Sequence, residues 1–178
     1  MLTPEEKKFE CVHCGFCCIA LRIPVFPSDI RHIQAHLQLS PSEFVEDPPD
    51  HYDSEREWIT NLNLRVLRQK HGQCIFRQEN CRIYPFRPLA CRLFPYSFVS
   101  EDKDIVLRLH KLADFCSGLF TGKDVSTKNL HQIAQKILDE LKKILTSIWE
   151  LALKHDCELV EINPLALSEK GLVAVDAK

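Results

Sequence analysis

The sequence predicts an α+β protein. Residues 1–120 read as a small, irregular cysteine-rich domain of short helices and hairpins, and residues 121–178 as one long amphipathic helix with a C-terminal strand pair. Three features point there. Eight of the nine cysteines precede the helix, in two blocks that open with Cys11 and Cys74. Between Thr127 and His155 apolar residues recur at helical steps. Elsewhere the apolar runs are short, and Pro or Gly interrupts them.

After the first cysteine block, Ser28-Asp29-Ile30 has the makings of a helix N-terminus. Ile30, Ile33 and Leu37, with Ala35 nearby, give a short amphipathic helix to about Leu39. Ser40-Pro41-Ser42-Glu43-Phe44 starts another turn, which Asp47-Pro48-Pro49-Asp50 breaks. The polar stretch that follows, to Asn61, predicts a loop in which only Trp58 and Ile59 pack. Leu62 to Arg68 alternates like a half-buried strand, and His71-Gly72 turns it into Cys74-Ile75-Phe76 as a hairpin. Arg87-Pro88-Leu89-Ala90-Cys91 fits one helical turn with Pro88 at its start, stopped by Pro95. Ile105 to Leu109 reads as a strand leading toward Cys116. In the long helix, Leu130, Ile133, Ala134, Ile137, Leu138, Leu141, Leu145, Ile148 and Ala152 form the apolar stripe. Leu159–Ile162 and Leu172–Val175 are read as the terminal strand pair, joined through Asn163-Pro164 and a turn at Glu169-Lys170-Gly171.

A chain of 178 residues with 45% apolar content can form a core without suggesting a membrane protein. Its formal charge of −2 gives no basic excess to neutralise phosphates, which argues against nucleic acid as a partner. Met1 to Lys8 leads into no signal-peptide core, and no apolar run reaches the roughly 18 residues of a membrane span. A cytoplasmic location and no membrane partner are the expectation. In a reducing compartment an odd number of cysteines favours metal binding over a disulfide framework.

The chemistry concentrates in Cys11-Val12-His13-Cys14-Gly15-Phe16-Cys17-Cys18, four thiols within eight residues. Steps of three residues can turn successive sulfurs toward one point if the backbone coils tightly, and Gly15 permits that coiling. Cys11, Cys14 and Cys17 repeat the C-x2-C-x2-C run by which bacterial ferredoxins supply three thiolates to a four-iron cluster, the fourth ligand arriving from elsewhere. Radical-SAM enzymes would place three residues between their first two cysteines, so the spacing excludes that reading. Adjacent Cys17 and Cys18 are expected to point to different sides of the backbone. A second metal, a redox role or a spare thiol must then account for one of them. The candidate metal ligands are Cys11, Cys14, Cys17, Cys18, Cys74, Cys81, Cys91 and Cys116, enough for two four-thiolate sites or one cluster with extra thiols. Cys157, isolated after the helix, reads as a packing residue.

The first block, then Cys74-Ile75-Phe76 and Cys81-x-Ile83-Tyr84-x-x-Arg87-Pro88-x-x-Cys91-Arg92-x-Phe94-Pro95, together resemble the CxxCxxCC (YkgJ-like) family of zinc- or iron-chelating domains over roughly Cys11 to Cys116. The resemblance implies a metal or iron–sulfur cluster, of the 4Fe-4S kind or zinc, held by the shared cysteines. It assigns no reaction, and whether the chain is an enzyme stays open. The tail is separately similar to the segment of ATP-grasp acyl-CoA synthetase β subunits that presents Mg-nucleotide ligands, which implies Asn163 and Asp176 as metal-binding oxygens. That likeness covers the last fifth of the chain, and no phosphate-covering glycine loop or adenine-clamping region precedes it. The expectation is that this chain binds no ATP by itself.

Thiolates around a metal leave negative charge for nearby cations to offset, and Arg82, Arg87 and Arg92 are candidates, Arg87 above all. His13 reads as a neighbour of the site rather than a ligand, and His71 and His110 are weak signals. Tyr84, Phe86, Phe94 and Tyr96 can shield a cluster or simply form the core. The expected function is a metal-binding protein with an iron–sulfur cluster or zinc and a possible electron-transfer role toward a redox or protein partner. The alternatives are a structural zinc module for protein contact, and a fragment of an ATP-grasp acyl-CoA ligase.

Overall fold

The computed structural model describes residues 2–48, 64–101 and 104–155, together with the backbone of 165–168 and 171–174. In chain order its elements are β1 (Lys8–Phe9), α1 (Phe16–Ala20), α2 (Pro27–Leu37), α3 (Pro41–Phe44), β2 (Val45–Glu46), β3 (Val66–Leu67), β4 (Gln69–Lys70) and β5 (Gln73–Cys74). There follow α4 (Leu89–Leu93), β6 (Tyr96–Glu101), β7 (Asp104–Leu109), β8 (Leu119–Asp124), α5 (Thr127–Lys154), β9 (Leu165–Ser168) and β10 (Gly171–Ala174). Helices and antiparallel two-stranded pairs without a shared sheet make this an α+β fold, as the sequence predicts. Among the described residues no helix is long and apolar enough to cross a membrane.

The chain divides into two compact units, one of Met1–Leu21 with Gln69–Leu138 and the other of Arg22–Arg68 with Asp139–Lys178. In the first, β1 pairs with β8 through Lys8↔Asp124 and Phe9↔Leu119, and the register shifts between the two pairs. The Glu10 N–H donates to the Gly118 carbonyl at 3.1 Å, extending that closure. A Cβ at position 118 would stand 2.0 Å from the Glu10 carbonyl oxygen, so only glycine lets the strands approach this far. The β6–β7 hairpin runs from Tyr96↔Leu109 to Glu101↔Asp104. Tyr96 fixes it to the N-terminal segment by donating its hydroxyl to the Glu6 carbonyl at 2.9 Å and presenting its ring edge-on to Phe9.

Hairpin β4–β5 pairs Gln69↔Cys74 and Lys70↔Gln73. His71 at φ 53° and Gly72 at φ 76° form its two-residue left-handed turn, which suits the twist of the flanking strands. A turn this short pairs the residues that flank it directly. The arm opposite Cys74 is therefore Gln69–Lys70, not the expected run to Arg68. Val66–Leu67 instead pairs with Val45–Glu46.

In the second unit β3 is held on both sides. The Leu67 N–H donates to the Ile23 carbonyl and the Val25 N–H to the Arg65 carbonyl, both at 2.9 Å, while Val45↔Leu67 closes the other edge. Phe26, Ile33, Phe44 and Val66 are wholly buried there. Pro27 opens α2 with a preset φ, and the buried Asp29 carboxylate accepts the Phe26 N–H at 3.1 Å, satisfying a donor that the helix cannot. Asp29 is thus a buried cap acting from the third residue of the helix, which starts at Pro27 rather than at the expected Ser28-Asp29-Ile30.

Ser126 stands just before helix α5, and its hydroxyl accepts the Asn129 N–H at 3.2 Å. Leu130, Ile133, Ala134, Ile137 and Ile144 are buried, but Leu145 is 52% exposed. Burial follows the seven-residue step from Leu130 through Ile137 to Ile144, and Leu145 lies one residue, about 100°, around the helix. The terminal pair joins Leu165–Ser168 to Gly171–Ala174, so the second strand begins one residue early and its partner is Leu165–Ser168. The expected strand at 159–162 lies outside the described residues, as do Trp58, Ile59, Cys157, Asn163 and Asp176. Strands β1, β2, β6 and β8 have no counterpart in the sequence reading: β1 and β2 are two residues long and carry no period, Tyr96–Glu101 follows a proline-rich run, and Leu119–Asp124 contains Gly122 and no apolar alternation.

Ile133 is 3% exposed in the first unit. Ile133→Ala is expected to lower stability by about 2–5 kcal/mol in urea denaturation, the range for a truncated core side chain. A loss under about 1 kcal/mol would mean that this face of the helix is not packed.

Candidate metal centre

The first unit alone carries all eight described cysteines, and all are free thiols. The β1–β8 closure ends one residue before Cys11 and two residues after Cys116, bringing the first and last of them to the same end of that pairing. From there the chain coils into α1. Gly15 takes φ 77° as its N-cap, and the Cys18 N–H donates to the Gly15 carbonyl at 3.0 Å. Arg77 seals this turn: its Nη1 donates to the Gly15 carbonyl at 3.5 Å, and a Cβ on Gly15 would meet its guanidinium at 2.3 Å.

Helix α1 lies against β5, and Cys17 acts electrostatically on Cys74. Beyond Cys74 the chain doubles back, with the Arg77 N–H on the Cys74 carbonyl at 2.9 Å and a bridge between Arg77 and Cys81. A short turn at Tyr84–Phe86 leads into α4, where Cys91 sits one turn in. Cys116 closes the set, its N–H on the Ala113 carbonyl at 2.8 Å and its own carbonyl accepting the Leu119 N–H at 2.9 Å.

Cys17 is the hub. Its thiol pKa is pushed up by a hydrogen bond with Cys18, then by burial and by the Cys18 charge, while Arg87 pulls it down. Cys17 in turn is among the groups that raise Cys74, Cys81, Cys91 and Cys116. In those four, burial is the first cause: the charged thiolate loses its water. Cys74 reaches about 11. Cys11 joins through Cys81 and through a hydrogen bond with Tyr84, and Cys14 through Cys116. Cys17 and Cys18 are successive residues of helix α1, about 100° apart around its axis, and their thiols share a hydrogen bond.

Arg87 is the cation among these thiols. It favours the ionised forms of Cys17, Cys81 and Cys91, and its guanidinium lies 4.0 Å from the centre of the Tyr84 ring. His13 rests against the same ring at 4.5 Å, giving it a packing contact beside the thiols. His71 is a turn residue, and His110 accepts the Leu112 N–H through Nδ1 at 3.1 Å while packing on Phe94. Arg82 and Arg92 are exposed, whereas Phe94 and Tyr96 are core. Sequence reasoning missed Arg77, for which the pattern holds no signal, and Gly118, whose place two residues after Cys116 was one.

The donor set suits a soft or borderline ion, being rich in thiols and having a cation at hand. Among the described residues no three His, Cys, Asp or Glu side chains stand at metal-ligand spacing. The thiols nonetheless share one compact unit and act electrostatically on one another.

The model of the CxxCxxCC family, described as "Putative zinc- or iron-chelating domain", matches residues 10–117, more than half of the chain. The uncharacterized protein MJ0661 of Methanocaldococcus jannaschii is 28% identical over 164 residues, covering 83% of this chain and 84% of its own. A second protein of that organism, the uncharacterized MJ0939, is 24% identical over 159 residues, 86% of this chain and 52% of its own. No solved structure matches.

Thiols held protonated by burial and by one another tie the metal-free fold to pH. A group with a raised folded pKa stabilises the fold below its unfolded pKa, and that contribution is lost as pH rises through the folded value. Reduced, metal-free protein is therefore expected to lose stability between about pH 9 and 11, the ordinary and folded values for Cys74, when unfolded in urea under argon. A flat profile across that window would contradict the shared burial of these thiols.

Proposed function

Because the chain belongs to the CxxCxxCC family of zinc- or iron-chelating domains, we propose that its clustered cysteines hold an iron–sulfur cluster of the 4Fe-4S kind and that the protein has a redox role. Cys11, Cys14 and Cys17 are the three local ligands, and Cys81 or Cys91 the fourth. Cys18, Cys74 and Cys116 are the further thiols of the same neighbourhood, available to a second ion or to exchange. One observation carries the reading: all eight described cysteines lie in one compact unit, where helix α1 with Cys17 and Cys18 rests against the strand that ends in Cys74. When bound, an iron–sulfur cluster supplies one-electron transfer, with a potential that charge and hydrogen bonding at the sulfurs adjust.

The chain's own residues have definable tasks in this reading. Arg87 offsets thiolate charge, and its stack on Tyr84 keeps it there. Arg77 and the left-handed Gly15 keep the first loop coiled. Residues 1–120 are the metal-binding part and 121–178 an extension whose helix supports it. Free thiols fit a cytoplasmic setting.

A structural zinc site in a protein-contact module is the second reading. It is favoured by Val12, Ile19 and Phe115, apolar residues close in sequence to the ligands and 52%, 52% and 63% exposed. Protein purified without oxygen discriminates the two. The cluster reading expects iron and acid-labile sulfide, broad visible absorption that bleaches on reduction, and loss of both in Cys17→Ser. Stoichiometric zinc with no sulfide would establish the structural module instead.

A further inference from the structure

The two residues that bracket Cys14 both have left-handed backbone, His13 at φ 55° and Gly15 at φ 77°. That conformation is uncommon for any residue but glycine, and it persists where the surroundings hold it. Here the surroundings are side chains from the second cysteine block. The Tyr84 ring packs on the His13 imidazole, with centres 4.5 Å apart and planes tilted by 46°. Arg77 donates from Nη1 to the Gly15 carbonyl at 3.5 Å, and its guanidinium fills the space that a Cβ on Gly15 would need.

Both side chains spring from backbone that is tied to the cysteines of their own block. The Arg77 N–H donates to the Cys74 carbonyl at 2.9 Å, and Arg77 bridges to Cys81. The Arg82 N–H closes the same loop on the Phe76 carbonyl at 3.0 Å, and the Tyr84 N–H donates to the Cys81 carbonyl at 3.1 Å. The Arg87 guanidinium, 4.0 Å from the centre of the Tyr84 ring, steadies that ring further. A displacement of Cys74 or Cys81 therefore shifts the two contacts that hold the turn around Cys14. The reverse holds as well.

We infer that Arg77 and Tyr84 are positioning residues: they hold His13-Cys14-Gly15 in its coiled form, and so join the two cysteine blocks into one site that loads metal as a unit. The inference rests on the reading that these cysteines bind metal, and is the same for iron or zinc. Its consequence is a positive coupling, in which metal held by one block strengthens binding at the other. Arg77 acts through the planar fork of its guanidinium against backbone, a shape that lysine lacks.

Cobalt(II), titrated without oxygen into the reduced, metal-free full chain against a competing chelator, tests this, because sulfur-to-cobalt charge-transfer absorption reports the thiolates engaged. The wild type is expected to load in one cooperative step. Arg77→Gln and Tyr84→Leu should each split the titration into separate steps and weaken the first of them at least about tenfold, the usual cost of a lost outer-shell partner. Tyr84→Phe keeps the ring on His13 and should load in one step. Arg82→Gln removes an exposed cation from the same block and should also leave loading unchanged. Gly15→Ala should weaken loading in the wild type and weaken it far less in the Arg77→Gln background, a non-additivity that a general loss of stability would not produce. Circular dichroism checks that each metal-free variant is folded, and if Arg77→Gln is not, Arg77→Lys serves in its place. Absence of sulfur-to-cobalt absorption in the wild type would overturn the metal-binding reading and this inference with it. A wild type that loads in separate steps, variants at 77 and 84 that load as the wild type does, or additive effects of Gly15→Ala and Arg77→Gln would overturn this inference alone.

Discussion

The closure between Glu10 and Gly118 is the constraint on which the thiol centre depends. The backbones meet so closely that a methyl group at Gly118 would collide with the Glu10 carbonyl oxygen. Cys11 and Cys116, more than a hundred residues apart in sequence, emerge from that one contact. The intervening chain then has to return twice. The β4–β5 hairpin brings back Cys74 and Cys81, and α4 with the β6–β7 hairpin brings back Cys91. Strands β1, β4 and β5 are two residues long, and what they accomplish is to position loops.

Bringing so many thiols together carries an electrostatic cost unless the charge is shared. Cys17 resists deprotonation first through its hydrogen bond with Cys18 and Cys91 first through burial, and in both the charge of a neighbouring thiolate adds to the resistance. Arg87 offsets part of this and cannot offset all of it. A divalent ion or cluster supplies the missing positive charge, and because only thiolates bind it, binding and proton release are linked. Metal affinity and fold stability in this unit therefore rest on the same residues.

The sequence made the first cysteine block legible because its three-residue spacing has no packing explanation, and α5 because its stripe persists over 28 residues. Helix α2 and the turn at Pro88 were also readable, since proline and capping residues mark helix starts. The partners of strands were not. A two-residue strand has no measurable period, and whether Val66–Leu67 pairs with Val45–Glu46 or with the residues before Cys74 depends on contacts that local sequence does not encode. The same limit applied to the site. Spacing showed that Cys11, Cys14 and Cys17 could converge, but the influence of Cys17 on Cys74 comes with α1 resting on β5.

The central claim is that this unit holds its metal through cysteine sulfur, and the direct measurement is X-ray absorption at the metal edge of protein purified without oxygen. The account predicts a first shell of about four sulfurs near 2.3 Å, with no nitrogen or oxygen at about 2.0–2.1 Å. A shell dominated by nitrogen or oxygen would contradict it, whichever metal is found.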